Sequence, residues 1–284
     1  MSKYFDQTQP RLESDILENI QLGAVDKFLD TIQDVTQTKA KLAQARFEGC
    51  RKLKLRHDAN PLLISHVNHC NRSAAESYRG LRTRLIRLQS ASGFRSVVVT
   101  SAIQGDGKTV TSLNIAISLS QLPQCRTLVV DTDLRTGGLS KLLDLPKGPG
   151  LVDVLQGERS YAKTICSTDL PNLYVMGVGS EVAAPVELLA APALHEFIAW
   201  ASECFGMIIL DAPPLTGITD CELVTSVCDT ALIVVRALHT ERELLQAAVS
   251  HIEAKKIIGF VYNDTEEQSS YGSYPHSIPA RRGS

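Results

Sequence analysis

A glycine-rich turn carries the residue types that bind phosphate. Residues 105–109 read Gly-Asp-Gly-Lys-Thr, and glycines allow backbone N–H groups to curl around phosphate oxygens without a Cβ atom in the way. A lysine at position 108 would reach the β- and γ-phosphates of a nucleotide, and the Thr109 hydroxyl would bind Mg²⁺. The turn therefore predicts nucleotide binding, with Lys108 as a catalytic residue and Thr109 as a metal ligand.

Aspartates follow two strand-like runs and could complete such a site. The strand-like run 126–130 precedes Asp131 and Asp133, and the run 205–210 precedes Asp211. Open α/β sheets bind ligands at the carboxyl ends of their strands. We expect Asp211 to polarise a metal-bound water. Of Asp131 and Asp133, one would support the metal and the other would orient or deprotonate a nucleophile.

The elements around the turn suit a phosphate-binding P-loop. Residues 96–101 form a β-branched run that predicts a buried strand, and residues 109–121 predict a helix. The N-terminus of that helix would add unpaired N–H donors and the positive end of its dipole. Ala102 stands where the general pattern has glycine, so an ordinary glycine turn before a core helix is the alternative.

Other segments alternate between strand and helix patterns. We expect further strands at 173–176, 231–235 and 257–262, and helices at 73–88, 186–203, 219–227 and 240–255. Continuous apolar runs without alternation indicate strands that are covered on both faces. The predicted fold is therefore α/β, a doubly wound and mostly parallel sheet with helices on both faces.

The chain divides into three predicted parts. Residues 1–60 are expected to form a helical N-terminal extension, 61–264 the P-loop domain, and 265–284 a flexible tail. The basic stretch 51–56 could rest on an anionic membrane or a partner, but a solvated strand or helix face is the simpler explanation. His66, His69 and Cys70 could likewise bind a metal or belong to a solvated linker.

Composition excludes several classes of protein. The 284 residues are 44% hydrophobic, enough for a substantial core, and 29 basic residues nearly balance 31 acidic ones, which does not indicate a nucleic-acid binder. The sequence shows neither a signal peptide nor an apolar run long enough to span a bilayer. Seven scattered cysteines suggest reduced thiols. We therefore expect a cytoplasmic protein.

Three motifs together resemble those of the bacterial tyrosine kinases of capsule and exopolysaccharide synthesis. Residues 100–109 resemble their P-loop, 128–135 their Walker A′ motif, and 208–214 their Walker B motif. A fourth segment, with Glu76, Arg79 and Arg82 at three-residue intervals, is similar to the helix that joins subunits of that family into a ring. The same spacing would also suit a local ion-pair ladder on one helix face.

The resemblance implies a fold like that of the Min- and Par-type P-loop ATPases, with ATP and Mg²⁺ as cofactors. Thr109, Asp131 and Asp211 would hold the metal, and Asn263 would contact the adenine. The expected nucleotide-binding residues are Gln104, Gly105, Asp106, Gly107, Lys108, Thr109, Val110, Arg135 and Asn263.

The resemblance also implies partners. Tail tyrosines Tyr271 and Tyr274 would be phosphorylated in the site of the next subunit of a homo-oligomeric ring. A separate membrane-embedded chain-length regulator, the polysaccharide co-polymerase, would activate the kinase and hold it at the inner face of the plasma membrane.

Two functions follow from these motifs. The first is an ATP-dependent, autophosphorylating protein-tyrosine kinase that regulates polysaccharide polymerisation and export. The second is an ATPase switch or scaffold of the same machinery that does not phosphorylate tyrosine, because the tail has only two tyrosines. Ile103 occupies the place of a lysine in the partition ATPases and argues against that class.

Overall fold

The computed structural model describes residue 47 and residues 49–55, 62–64, 72–216 and 219–264. The chain divides into two units, residues 1–49 and 50–284, and the sheet lies wholly in the second. Most of the predicted extension, His66, His69, Cys70 and the tail with Tyr271 and Tyr274 lie outside the described residues. Within the described ranges, no helix is both long and apolar enough to cross a membrane.

One sheet organises the described part of the second unit. Its strands are β1 (Arg51–Leu53), β2 (Ser96–Ser101), β3 (Thr127–Asp131), β4 (Cys166–Thr168), β5 (Leu173–Met176), β6 (Met207–Asp211), β7 (Thr230–Arg236) and β8 (Ile257–Asn263). The order across the sheet is β1-β4-β5-β3-β6-β2-β7-β8. The β4–β5 pair is antiparallel and the other neighbouring pairs are parallel. The predicted mostly parallel α/β sheet is confirmed.

Helices connect these strands. They are α1 (Arg72–Ser92), α2 (Lys108–Ser120), α3 (Gly138–Leu142), α4 (Leu151–Leu155), α5 (Tyr161–Thr164), α6 (Pro185–Leu189), α7 (Pro192–Cys204), α8 (Thr219–Val227) and α9 (Arg242–Val249). A 3₁₀ turn, Ala254–Lys256, precedes β8.

Two predicted helices differ from the observed ones. The single helix expected over 186–203 is two helices, because Ala191 is extended (φ −68°, ψ 149°) before Pro192, which begins α7. Proline disfavours a helical conformation in the residue before it. The helix expected over 240–255 ends at Val249.

The sheet also extends beyond the predicted domain boundary. Strand β1 lies inside the range 1–60 that was predicted as a helical extension, and it pairs in parallel with β4. Both strands have only three residues, which is too short for a hydrophobic period to be recognised. The first half of the basic stretch 51–56 is therefore part of a sheet edge.

The central strands and α2 form the buried base of the site. Every residue of β2, β3 and β6 is buried, as expected of parallel strands that are covered on both faces. Helix α2 is buried along most of its length. The turn before α2 and the carboxyl ends of β3 and β6 are therefore joined to buried elements of the described chain.

Candidate active site

The P-loop turn requires both of its glycines. Gly105 (φ +94°) and Gly107 (φ +91°) have left-handed backbone conformations, which residues with a Cβ atom rarely adopt. A Cβ atom on Gly107 would also overlap the side-chain amide of Asn263. Helix α2 begins at Lys108, directly after this turn. Gln104 and Gly105 are exposed at the apex, and Val110 is half-buried in the first turn of α2.

Asp106 ties the turn to the loop after β7 and to the end of β8. Its side chain is fully buried. One carboxylate oxygen accepts a hydrogen bond from Thr240 Oγ1 at 2.8 Å, and the other lies 3.5 Å from the Ile103 N–H. Asn263 Nδ2 donates to the Asp106 carbonyl at 2.9 Å. Asp106 was predicted to bind nucleotide, but its carboxylate is engaged inside the protein. The predicted contact would have to come from its main-chain N–H.

Lys108 is held by the loop that follows β3. Its Nζ lies 3.3 Å from Asp133 Oδ2 and 3.4 Å from Thr109 Oγ1. The other Asp133 oxygen accepts a hydrogen bond from the Thr136 N–H at 3.1 Å. Lys108 and Asp133 are both buried, so their pairing limits the cost of placing two charges away from water.

Two buried carboxylates face each other at the carboxyl edge of the sheet. Asp131 on β3 and Asp211 on β6 are register partners. Asp131 Oδ2 accepts hydrogen bonds from the Ser140 N–H and hydroxyl at 2.8 and 2.7 Å, and its Oδ1 accepts one from the Asp133 N–H at 3.3 Å. Asp211 Oδ1 lies 3.1 Å from Ser112 Oγ. Asp211 Oδ2 is buried and finds no hydrogen-bond partner among the described residues.

The local electrostatics disfavour two negative charges here. Burial raises the pKa of Asp211 to about 7; Lys108 opposes this rise and the neighbouring Asp131 adds to it. Burial also raises the pKa of Asp131 to about 6, although hydrogen bonds from Ser140 lower it. A bound cation would relieve this repulsion, since an opposite charge favours the ionised carboxylates.

The oxygen atoms around Asp211 fit Mg²⁺. A Cβ atom on Gly138 would lie 3.0 Å from Thr109 Oγ1 and 3.9 Å from Asp211 Oδ2, so these two oxygens face the same glycine. Mg²⁺ prefers hydroxyl, carboxylate, phosphate and water oxygens over a full cage of protein ligands. In the described ranges, no three His, Cys, Asp or Glu side chains group as metal ligands. The hydroxyl and the unpartnered carboxylate oxygen suit Mg²⁺ better than Zn²⁺.

Arg135, a predicted nucleotide ligand, pairs within the chain. Its Nε and Nη2 donate to the two oxygens of Asp220, at 2.8 and 3.1 Å. Asp220 lies in the first turn of α8 and is buried. Sequence reasoning did not foresee this partner, because only the packing of α8 beside the loop after β3 brings the two residues together.

The predicted oligomerisation residues occupy different environments on α1. Glu76 and Arg79 are exposed and form an ion pair with each other. Arg82 instead donates to the Ser118 carbonyl at 2.8 Å and to Gln121 Oε1 at 3.1 Å, so it ties α1 to the end of α2. The predicted local pairing therefore exists for Glu76 and Arg79, while Arg82 is a tether between helices.

Comparison with known proteins agrees with this geometry. No family model matches the chain. The chain is 31% identical over 209 residues to the tyrosine-protein kinase ptk of Acinetobacter johnsonii; the match covers 73% of this chain and 28% of that protein. It is 30% identical over 207 residues to the tyrosine-protein kinase CpsD of Streptococcus pneumoniae, covering 72% of this chain and 90% of that protein. The chain thus spans well under half of the first relative and most of the second.

Solved structures show the same fold. The chimerical protein CapA2B2 matches with a TM-score of 0.67 and 26% identity, over 76% of this chain and 94% of that one. The kinase domain of the Escherichia coli tyrosine kinase ETK matches with a TM-score of 0.63 and 26% identity, over 70% and 80%. The septum site-determining protein MinD of Pyrococcus horikoshii, complexed with Mg-ADP, shares the fold at a TM-score of 0.51 and 23% identity, over 59% and 69%.

These relatives have the architecture predicted from the motifs, and the site lies where those motifs meet. The structure brings the turn at 104–109 together with Asp131, Asp133 and Asp211 at one edge of the sheet. The chain therefore belongs to the bacterial tyrosine-protein kinases.

Proposed function

We propose that this protein is an ATP-dependent tyrosine kinase that transfers the γ-phosphate of ATP to tyrosines of its own C-terminal segment, Tyr271 and Tyr274, and thereby regulates capsule or exopolysaccharide polymerisation and export. The observation that carries the proposal is the pairing of Lys108 with Asp133 beside the register pair Asp131 and Asp211. A phosphate-binding lysine and three buried aspartates at one edge have no packing role that would explain them together.

Mg²⁺ fits the site through Thr109 Oγ1 and Asp211 Oδ2, the buried oxygen without a described partner. When bound, Mg²⁺ neutralises phosphate charge and orients the transferred group. Asp131 supports the same centre from the neighbouring strand, but its oxygens already accept hydrogen bonds from Ser140 and Asp133. We therefore assign Asp131 to the outer part of the metal site and Asp211 to the inner part.

Lys108 and Asp133 divide the remaining work. Lys108 binds the β- and γ-phosphates and so exchanges the Asp133 carboxylate for phosphate oxygens. Asp133 is then free to orient the tyrosine hydroxyl and to accept its proton. The main-chain N–H groups of residues 104–107 hold the phosphates, and Asn263, already fixed against the turn, lies at the end of β8 for contact with the adenine.

The assembly is also a proposal. The resemblance supports a homo-oligomeric ring through Glu76, Arg79 and Arg82, with each tail reaching the next subunit. It also supports activation by a separate membrane-embedded co-polymerase that holds the kinase at the inner face of the plasma membrane. The near balance of 29 basic and 31 acidic residues supports the absence of a nucleic-acid partner.

One observation favours a second candidate function. Residues 265–284 contain only two tyrosines, whereas a kinase that phosphorylates its own tail needs acceptors there. If Tyr271 and Tyr274 are not phosphorylated, the protein would act as an ATPase switch or scaffold in the same machinery.

Tandem mass spectrometry after incubation with ATP and Mg²⁺ tests the proposal. The samples are the wild type, Lys108→Met and the control Lys163→Met, an exposed lysine on α5. Each is incubated with and without the cytosolic segment of the membrane partner. We expect phosphate on Tyr271 or Tyr274 in the wild type and in Lys163→Met, and none in Lys108→Met. ATP hydrolysis with unmodified tyrosines would instead establish the ATPase switch.

A further inference from the structure

The loop between β7 and α9, residues 237–241, is fastened to the P-loop turn. Thr240 Oγ1 donates to Asp106 Oδ1 at 2.8 Å, and Asp106 is fully buried. The Ala237 N–H donates to the Asn263 carbonyl at 2.9 Å, and the Thr240 N–H donates to the Arg236 carbonyl at 3.1 Å. The loop therefore has a defined position relative to the turn, set by hydrogen bonds at both of its ends.

His239 on this loop stands beside the apex of the turn. Its Nε2 lies 4.0 Å from the position that a Cβ atom on Gly105 would occupy. Both residues are exposed. Within the described part of the chain, the imidazole makes no hydrogen bond and no ion pair. A solvent-exposed imidazole thus lies at the rim of the predicted phosphate site, with no side-chain partner among the described residues.

The backbone beside His239 is strained. Leu238 has a left-handed conformation (φ +57°) although it is not glycine, and its side chain is 98% exposed. Such a conformation is sterically unfavourable for a residue with a side chain, and residues of this kind cluster at ligand clamps and active sites. Packing of Leu238 does not offset that cost, because its side chain is almost wholly in solvent. The strain instead coincides with the placement of His239 next to Gly105.

We propose that His239 is a nucleotide-contacting residue that donates a hydrogen bond from its imidazole to the phosphates held by the turn. This inference rests on the proposed nucleotide site at residues 104–109. The phosphates are the expected partner because His239 lies beside Gly105, part of the turn whose N–H groups surround phosphate. Neutral imidazole retains one N–H donor and imidazolium has two, so either form can make the contact.

Affinity measurements with two ligands test this assignment. Isothermal titration calorimetry compares the wild type with His239→Ala for two ligands, Mg²⁺-ADP and Mg²⁺-pyrophosphate. Because pyrophosphate has no base or ribose, its binding reports the phosphate contact alone. The control is His251→Ala, an exposed histidine paired with Glu222. A hydrogen bond to a charged group predicts that His239→Ala weakens both ligands by about tenfold, while His251→Ala leaves both unchanged. His239 and His251 are both exposed, so neither substitution should change the melting temperature appreciably.

The measurements distinguish a failure of the His239 proposal from a failure of the proposed nucleotide site. Weaker ADP binding with unchanged pyrophosphate binding would place the contact on the base or ribose and overturn the proposal, as would unchanged affinity for both ligands. Lys108→Met is measured alongside. If that variant binds ADP as well as the wild type, the nucleotide site itself is wrong. If Lys108→Met loses binding and His239→Ala does not, only the role of His239 is refuted.

Discussion

Asp131 and Asp211 stand opposite each other on neighbouring parallel strands, as register partners at the carboxyl edge of the sheet. The two differ in how their oxygens are used. Both oxygens of Asp131 accept hydrogen bonds, whereas Asp211 Oδ2 is buried with no described partner. This difference supports the proposal that Asp131 mainly stabilises the site and that Asp211 binds the metal.

Replacement of Asp211 should therefore separate function from stability. We expect Asp211→Asn to reduce Mg²⁺-dependent phosphorylation by about a hundredfold or more, and to leave the metal-free protein at pH 8 as stable as the wild type or more so. Burial raises the pKa of Asp211 to about 7, so the ionised carboxylate is destabilised in the fold. The pKa of Asp131 is raised as well, so Asp131→Asn also removes a buried charge. Its amide nitrogen would meet a hydrogen-bond donor of Ser140 or Asp133, however, so it should gain less stability than Asp211→Asn. A less stable Asp211→Asn protein would contradict this division.

Gly107→Ala tests the tie between the turn and β8. The new methyl group would overlap the Asn263 amide, which donates to the Asp106 carbonyl, and the backbone there is left-handed. Gly157→Ala is the matched control, since Gly157 is also left-handed (φ +75°) but has no atom within 4 Å of the new methyl. In urea denaturation we expect a cost of about 1–2 kcal/mol for the control and more for Gly107→Ala. Equal costs would show that the Asn263 contact does not constrain the turn.

The residues predicted to join subunits can be tested singly on α1. Arg82→Ala should lower the free energy of unfolding by about 1 kcal/mol, because it removes bonds to the Ser118 carbonyl and to Gln121. Arg79→Ala loses only an exposed ion pair and should cost about 0.5 kcal/mol or less. Light scattering should show a smaller assembly for both variants and an unchanged one for Arg87→Ala, an exposed arginine on the same helix. If Arg79→Ala and Arg82→Ala leave the mass of the assembly unchanged, these two residues do not join the subunits.

The carboxylate of Asp229 should make stability depend on pH. Burial opposes its ionisation, but hydrogen bonds from the Arg95 N–H and from the N–H and hydroxyl of Ser96 outweigh that effect and lower its pKa. A lowered pKa stabilises the fold above the unfolded-state value near 4, and the gain is lost as the pH falls through the folded-state pKa. We expect Asp229→Asn to cost about 1 kcal/mol at pH 7, since the group is partly screened by solvent.

Thermal melts of Asp229→Asn and the wild type at pH 7, 4 and 3 provide the measurement. The difference in melting temperature should shrink as the pH falls, because the wild-type carboxylate becomes protonated and no longer accepts charge-assisted bonds. Glu203→Gln, an exposed glutamate on α7, is the control and should show little difference at any of the three pH values. A difference for Asp229→Asn that is as large at pH 3 as at pH 7 would rule out the charge as its cause.

The amino-acid sequence by itself determined the central strands, the turn between β2 and α2, and the aspartates that follow β3 and β6. Each of these is a local pattern: an apolar run long enough to be covered on both faces, glycines where the backbone must be left-handed, and polar residues directly after a strand. Local patterns also marked Lys108 and Thr109 as candidate phosphate and metal ligands, because a glycine turn precedes them and a helix follows.

Only the tertiary structure decided which of these residues contact one another. The register of Asp131 with Asp211, the bonds of Asp106 to Thr240 and Asn263, and the pair of Arg135 with Asp220 join segments that are distant in the chain. No local period encodes such contacts, since they depend on strand order and on the packing of helices against the sheet. For the three-residue strand β1, the sequence left a strand and a helix face both open, because its pairing with β4, and not its own composition, makes it a strand.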